Sequence, residues 1–167
     1  NHLSLSTFTY RPLPTASLIH ADIKDVIAIV GPWGSGKSTI AAIDLYMHCL
    51  KYKCDALVVR DTYHALKDSC VTKFMEIFGS AGELSMGPPP TFYWKGPLAG
   101  HKVMFRSAEN PEDIQKFQSV ECGYAWLEEA TPGLLPGGAI NVGIAPEVLS
   151  GVIGRVRKWG VPNGKRR

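Results

Sequence analysis

Long apolar runs are missing from this sequence. None approaches the roughly 20 residues that a membrane-spanning helix needs, so no partner membrane is expected. Paired cysteine spacing is missing as well. Cys49, Cys54, Cys70 and Cys122 form no CxxC and no CxxC/HxxxH combination, which argues against zinc and for buried free thiols in a reducing compartment. The first residues, Asn1-His2-Leu3-Ser4, lack the charged-then-apolar layout of a secretory signal, so a cytoplasmic chain is expected. Excess charge is slight: the formal value is +3, and much of it sits in Arg155, Arg157, Lys158, Lys165, Arg166 and Arg167. Such a balance permits nucleic-acid contact without requiring it, and a solvated surface with a frayed basic end accounts for it equally. No internal repeat is visible, and His2, His20, His48, His64 and His101 form no recognisable cluster, so they read as structural. What remains is ordinary: 167 residues, 45% apolar and 20% charged, enough for one domain with its own core.

Along the chain, residues 1–24 contain the Pro12-Leu13-Pro14 break and read as an extended N-terminal arm. Asp25-Val26-Ile27-Ala28-Ile29-Val30 is a short β-branched run ending at glycine, which suits a buried parallel strand. From Lys37 the spacing of Ile40, Ile43, Met47 and Leu50 turns helical. Ala56-Leu57-Val58-Val59-Arg60 predicts a second buried strand, and Val71, Phe74, Met75 and Phe78 mark one face of a second helix. Residues 79–90 read as a Gly/Pro-rich loop. Thr91-Phe92-Tyr93-Trp94 and Lys102-Val103-Met104-Phe105-Arg106 then read as strands about a turn. A short helix is expected over Pro111 to Phe117, a strand at Ala125-Trp126-Leu127, a Gly/Pro-rich loop at 132–138 and a last helix from Pro146 to Val156. Alternating strands and helices predict an α/β domain with a largely parallel β-sheet flanked by helices.

The stretch Gly31-Pro32-Trp33-Gly34-Ser35-Gly36-Lys37-Ser38 has the spacing of a phosphate-binding loop between a strand and a helix. A chance match in a chain this long is on the order of one in a hundred. Its glycines let the backbone curl so that N–H groups face phosphate oxygens, and the helix N-terminus adds partial positive charge. Lys37 is expected on the β- and γ-phosphates and the Ser38 hydroxyl on Mg²⁺, with Ile40 in the first turns of the following helix beside the nucleotide. The expected ligands are therefore ATP and Mg²⁺.

A second element narrows the chemistry. The stretch Gly123-Tyr124-Ala125-Trp126-Leu127-Glu128-Glu129-Ala130 is an apolar strand ending in two carboxylates. A first carboxylate in that position holds Mg²⁺, directly or through water, and the second polarises an attacking water as general base. Glu128 is thus the expected metal partner and Glu129 the expected base. An Asp is usual at the first position, and the longer Glu128 arm makes direct metal contact less constrained.

Read together, these residues resemble the ATPase domain of the large terminase subunit, the motor that packages DNA into tailed-phage proheads. Four stretches carry the likeness beyond the phosphate loop: Tyr10-Arg11-Pro12-Leu13-Pro14 with His20-Ala21-Asp22; Val59-Arg60-Asp61-Thr62 with Leu66-Lys67-Asp68-Ser69; Lys116-Phe117-Gln118-Ser119-Val120-Glu121 running into the acidic strand; and Val152-Ile153-Gly154-Arg155-Val156-Arg157. Each is individually short, and their order makes the match. The resemblance implies a P-loop NTPase fold of the additional-strand, RecA-like kind. It implies double-stranded DNA as track, a homo-oligomeric ring on a portal, a small terminase subunit as partner, and residence in the host cytoplasm with transient docking on the prohead.

The family pairs this ATPase with a nuclease; residues 1–167 are expected to form a single ATPase domain without it, with 1–24 as the arm. Two departures stand out. The family's leading segment often supplies a glutamine that reads adenine, whereas Thr15-Ala16-Ser17 has none. Many members also place an arginine shortly before the acidic pair for the neighbouring subunit's site. Lys116 and Gln118 stand there, so the trans-acting cation is Lys116, or else Arg106, Arg155 or Arg60.

Several residues keep two readings. Arg60 senses the γ-phosphate or pairs with Asp61 or a neighbouring acid. Tyr10 stacks on adenine or makes a core contact, and Trp33 packs on the arm or covers the phosphates. Arg155 and Arg157 contact DNA or a neighbouring site, or serve as helix-end charges. Two other functions compete with the motor: a P-loop kinase, disfavoured by the Glu-Glu pair, and a nucleotide-binding regulatory module with little turnover.

Overall fold

The computed structural model describes residues 3–5, 8–131, 133–134, 140–141 and 143–156. The basic end, including Arg157, Lys158, Lys165, Arg166 and Arg167, lies outside the described residues, as does most of the 132–138 loop.

Strands β1 (Leu3–Leu5) and β2 (Phe8–Tyr10) pair as an antiparallel hairpin, and helix α1 spans Pro14–Ala21. The expected extended arm is thus half structured. Pro14 does not break the chain but opens the helix, because a proline in the first turn gives up an N–H that would be unpaired anyway. Helix α2 runs Lys37–Tyr52, and β3 is Ala56–Arg60. A helical stretch then passes from a short turn, α3 (Tyr63–Ala65), through a π-helical segment at Leu66–Val71 into α4 (Thr72–Phe78). Strands β4 (Gly82–Ser85), β5 (Thr91–Trp94) and β6 (Lys102–Ser107) follow. A 3₁₀ helix at Pro111–Phe117 leads to β7 (Tyr124–Leu127), the short pair β8 (Gly133–Leu134) and β9 (Ile140–Asn141), and α5 (Pro146–Arg155).

The main sheet has the order β4-β5-β6-β3-β7. Strand β3 is parallel to both β6 and β7, while β4-β5 and β5-β6 are antiparallel. The sheet is therefore mixed rather than largely parallel. The reason lies in residues 82–94: Gly82–Ser85, read as loop, folds back on Thr91–Trp94 and adds an antiparallel half.

Both faces of the parallel half are covered, which explains the unbroken apolar run of β3. Side chains alternate across the sheet. Ala56 and Val58 face α2 and α4 with Ile43, Leu45, Phe74 and Phe105, whereas Leu57 and Val59 join Met104, Phe117, Val148 and Val152 under α5. Phe74 is fully buried and meets Phe78, Phe92, Trp94 and Phe105 at ring separations of 4.9 to 5.6 Å. At the foot of β7 a side chain on Gly123 would meet Cys54 Sγ at 2.5 Å, so only glycine lets these segments approach.

One expected strand is not formed. Residues 25–30 join no ladder, and Val26 and Val30 are 63% and 95% exposed. Apolar, β-branched composition favours a strand only where a partner edge and a covered face exist. Among the described residues the sheet ends at β7, followed only by a single bridge between Cys122 and Val156. No helix among the described residues is long and apolar enough to cross a membrane.

Candidate functional site

The loop before α2 turns on two glycines. Gly34 (φ 73°) and Gly36 (φ 82°) are left-handed, and a side chain there would meet no atom within 4 Å, so backbone conformation rather than space calls for glycine. Gly36 caps α2 with no side-chain hydrogen bond, leaving the first-turn N–H groups of a 16-residue helix to solvent or an anion. Lys37 Nζ donates to the carbonyls of Gly31 and Pro32 at 2.7 and 2.8 Å, so the ammonium is folded over its own loop. Trp33 is 67% exposed. Ser35 sits within the loop, its Oγ 3.1 Å from where a Gly31 side chain would begin. Ile40 continues the helix, its N–H on the Gly36 carbonyl.

Strands β3 and β7 leave the sheet together. The Glu128 N–H donates to the Val59 carbonyl at 2.9 Å, one step past the Val59–Leu127 register, so Arg60 and Glu129 emerge side by side. Across 90 residues of sequence, Ser38 Oγ donates to Glu128 Oε1 at 2.5 Å. The other oxygen of Glu128 accepts from Trp126 Nε1 at 2.8 Å. Glu129 is left-handed (φ 49°), a strained setting for a residue with a side chain, and its Oε2 accepts from Arg60 Nη2 at 2.6 Å. Arg60 Nη1 donates to Ser69 Oγ at 2.6 Å, Ser69 donates on to the Ala65 carbonyl at 2.7 Å, and Arg60 Nε lies 3.4 Å from Asp61. Of the two readings of Arg60, the structure shows the pairing one, with both Asp61 and Glu129 as partners.

A cleft of about 180 Å³ opens beside this cluster, lined by Ser38, Ser69, Thr72, Lys73 and Glu128. Cys70 also borders it, but burial pushes its thiol up to about 12, so it stays protonated and is no nucleophile.

The Ser38–Glu128 contact is the test of fit for a divalent ion. A hydroxyl and a carboxylate oxygen converge on one point, a hard-oxygen donor pair suited to Mg²⁺ with phosphate and water supplying the rest. Among the described residues no group of three His, Cys, Asp or Glu side chains could hold a metal by itself. The pair by itself would fill only part of such an ion's shell.

The remaining expected residues lie elsewhere. Lys116 is paired with Asp113 at 2.9 Å, Arg106 donates to the Phe105 carbonyl with burial lowering its pKa, and Arg155 ends α5. Tyr10 is a tether: its hydroxyl meets His20 Nε2 at 3.0 Å, His20 Nδ1 meets Asp44 Oδ1 at 2.9 Å, and Asp44 Oδ2 accepts from the Tyr124 hydroxyl at 3.0 Å. Burial and then the Asp44 charge raise the Tyr10 pKa. This chain joins arm, α2 and β7, and sequence reasoning missed it. The available signal was Asp44 itself, a carboxylate buried among the apolar positions of α2.

With this geometry in place, comparison with known proteins gives one useful likeness. The chain resembles a phage terminase. It is 27% identical over 107 residues to the PBSX phage terminase large subunit of Bacillus subtilis (strain 168). That match takes in 62% of this chain and 24% of that protein, so the chain spans about a quarter of the relative's length. The terminase-like relationship is distant. No protein-family model and no solved structure matches.

Proposed function

We propose that this chain is a single P-loop ATPase domain of the large-terminase type, which binds Mg-ATP and hydrolyses it to drive double-stranded DNA into a prohead. The observation that carries the reading is the Ser38–Glu128 contact, which brings the loop serine and the acidic strand end to one point. On this reading the fold is that of a P-loop NTPase, and residues 25–30 lie beside β7, where the sheet ends, once nucleotide is held. Double-stranded DNA, a homo-oligomeric ring on a portal, a small terminase subunit and the host cytoplasm enter from the terminase likeness alone.

The residues divide the work. The loop N–H groups from Gly31 to Ser38 and the α2 N-terminus bind the phosphates, and Lys37, lifted off the Gly31 and Pro32 carbonyls, neutralises the transferred group. Ser38 and Glu128 offer the metal its protein oxygens. When bound, Mg²⁺ polarises the phosphate oxygens as a Lewis acid. Glu129 orients the attacking water and accepts its proton on a carboxylate oxygen.

The test compares ATP binding and hydrolysis, with and without double-stranded DNA, in the wild type, Lys37→Ala and Glu129→Gln. Lys37→Ala is expected to lose binding. Glu129→Gln is expected to keep binding and lose turnover by about 10² or more. Normal hydrolysis by Glu129→Gln would end its assignment as base. A regulatory module with little turnover is the second reading, favoured by the engagement of Glu129 with Arg60 in this state. DNA-stimulated turnover separates the motor from it.

A further inference from the structure

Two of the free cysteines meet at the far end of α2. Cys49 sits in the last turn of that helix and Cys54 shortly before β3. Between them Lys53 takes the left-handed conformation (φ 50°), and its N–H donates to the Cys49 carbonyl at 2.8 Å. A helix closed in this way turns the residue after the cap back onto its own last turn. That residue is Cys54, and the two sulfurs come to 4.0 Å, sharing one hydrogen bond. An apolar pair at these positions would only seal the helix end. Two thiols can also react. Gly123 at the foot of β7 leaves room for them, since a side chain there would strike Cys54 Sγ at 2.5 Å.

We propose that Cys49 and Cys54 are a redox-active dithiol, which a peroxide closes to a disulfide across the end of α2. The inference stands apart from the nucleotide-site reading, because the pair lies at the opposite end of α2 from the phosphate loop. Cys54 is the attacking sulfur. Its hydrogen bond with Cys49 lowers its pKa, and although burial opposes this, His48 and His101 help to hold it below the ordinary thiol range. Cys49 is the resolving thiol, kept protonated by the same contact and by burial. Burial pushes the Cys70 and Cys122 thiols up to about 12, so both stay protonated and out of the chemistry.

The Cys54 thiolate attacks one oxygen of the peroxide, and the O–O bond breaks. The other oxygen leaves as hydroxide and takes a proton from solvent to become water. Cys54 is then a sulfenic acid. Cys49 attacks that sulfur, and the S–S bond forms as the S–O bond breaks. The departing hydroxide leaves with the Cys49 proton, again as water. Two electrons pass from the sulfurs to the peroxide, and a small dithiol reverses the change by exchange. Cys49 is fully buried and Cys54 is 4% exposed, so the oxidant must be small. Hydrogen peroxide meets that condition.

The experiment treats the folded wild type with hydrogen peroxide, traps the remaining thiols with N-ethylmaleimide in denaturant and maps the peptides by mass spectrometry. Trypsin cuts after Lys51 and Lys53, so Cys49 and Cys54 fall on separate peptides that only a bridge keeps together. The linked pair is expected, lost again on adding a dithiol, with Cys70 and Cys122 alkylated as free thiols. Cys49→Ser keeps a donor beside Cys54 and should leave a sulfenic acid there that dimedone captures. Cys54→Ser should leave Cys49 reduced. A peroxide-treated wild type without the link overturns the proposal, and this arm depends on no variant. So does a Cys54–Cys122 bridge in its place, or a link that forms only after unfolding. Equal dimedone capture at Cys49 in Cys54→Ser would overturn the assignment of Cys54 as the attacking sulfur.

Discussion

Glu128 is held by two donors from different elements, the Ser38 hydroxyl and the Trp126 indole N–H, so both its oxygens have fixed directions. Residues that orient a ligand carboxylate matter almost as much as the ligand itself. Trp126→Phe keeps an aromatic ring, though a smaller one, and removes one donor. It should raise the Mg²⁺ concentration for half-maximal ATP binding about tenfold, measured by titrating Mg²⁺ at fixed ATP. An unchanged midpoint would remove the indole from the site. At this scale the sequence was most legible for the turn before α2, where Gly34 and Gly36 take the left-handed backbone that their residue type favours. It was least legible for Arg60, Ser69 and Glu129, whose meeting depends on β3 and β7 being neighbours. Tyr10 had two readings, and the geometry ties its hydroxyl to His20 and through it to Asp44.

Between residue and fold stand the element ends. The 3₁₀ helix Pro111–Phe117 opens with a capping box, in which Asn110 accepts from the backbone and Asp113 reaches back. Burial alone would raise the Asp113 pKa, but Lys116 and the N–H groups of Asn110 and Glu109 outweigh it and hold the carboxyl below its ordinary value. A depressed folded pKa stabilises above the unfolded pKa, here near 3.8, and that stability is lost as pH falls below it towards the folded value. Asp113→Asn should therefore lower Tm at neutral pH and converge on the wild type in acid, with Asn110→Ala costing about 1 kcal/mol, both followed by thermal melts. The segment 25–30 poses the opposite problem. Its composition asks for a strand, and its surroundings supply no ladder. Hydrogen exchange at Ile27 to Val30 should slow markedly on adding Mg²⁺ and an ATP analogue if the proposed P-loop fold holds. Exchange that stays fast with saturating nucleotide would count against that fold.

Over the whole molecule, stability and the site draw on different residues. Phe74 knits α4 to β5 and β6 through four aromatic neighbours, so Phe74→Ala should cost about 3–5 kcal/mol in denaturant unfolding. Lys37→Ala, which removes a solvent-exposed pair of carbonyl contacts, should shift stability by no more than about 0.5 kcal/mol. A large loss from Lys37→Ala would mean that the loop is structural. The amino-acid sequence by itself determined α2, the buried strand β3 and the acidic end of β7, because each is written in contiguous residues through periodicity or charge. It did not determine that the sheet is mixed, that residues 25–30 stand outside it, or that Asp44 joins Tyr10, His20 and Tyr124. Nor did it determine that Ser38 meets Glu128 while Arg60 takes Glu129. Those are pairings between distant segments, and strand order and register choose them. Only the packed sheet, with both faces of β3 covered, brings the phosphate loop and the two carboxylates to one place.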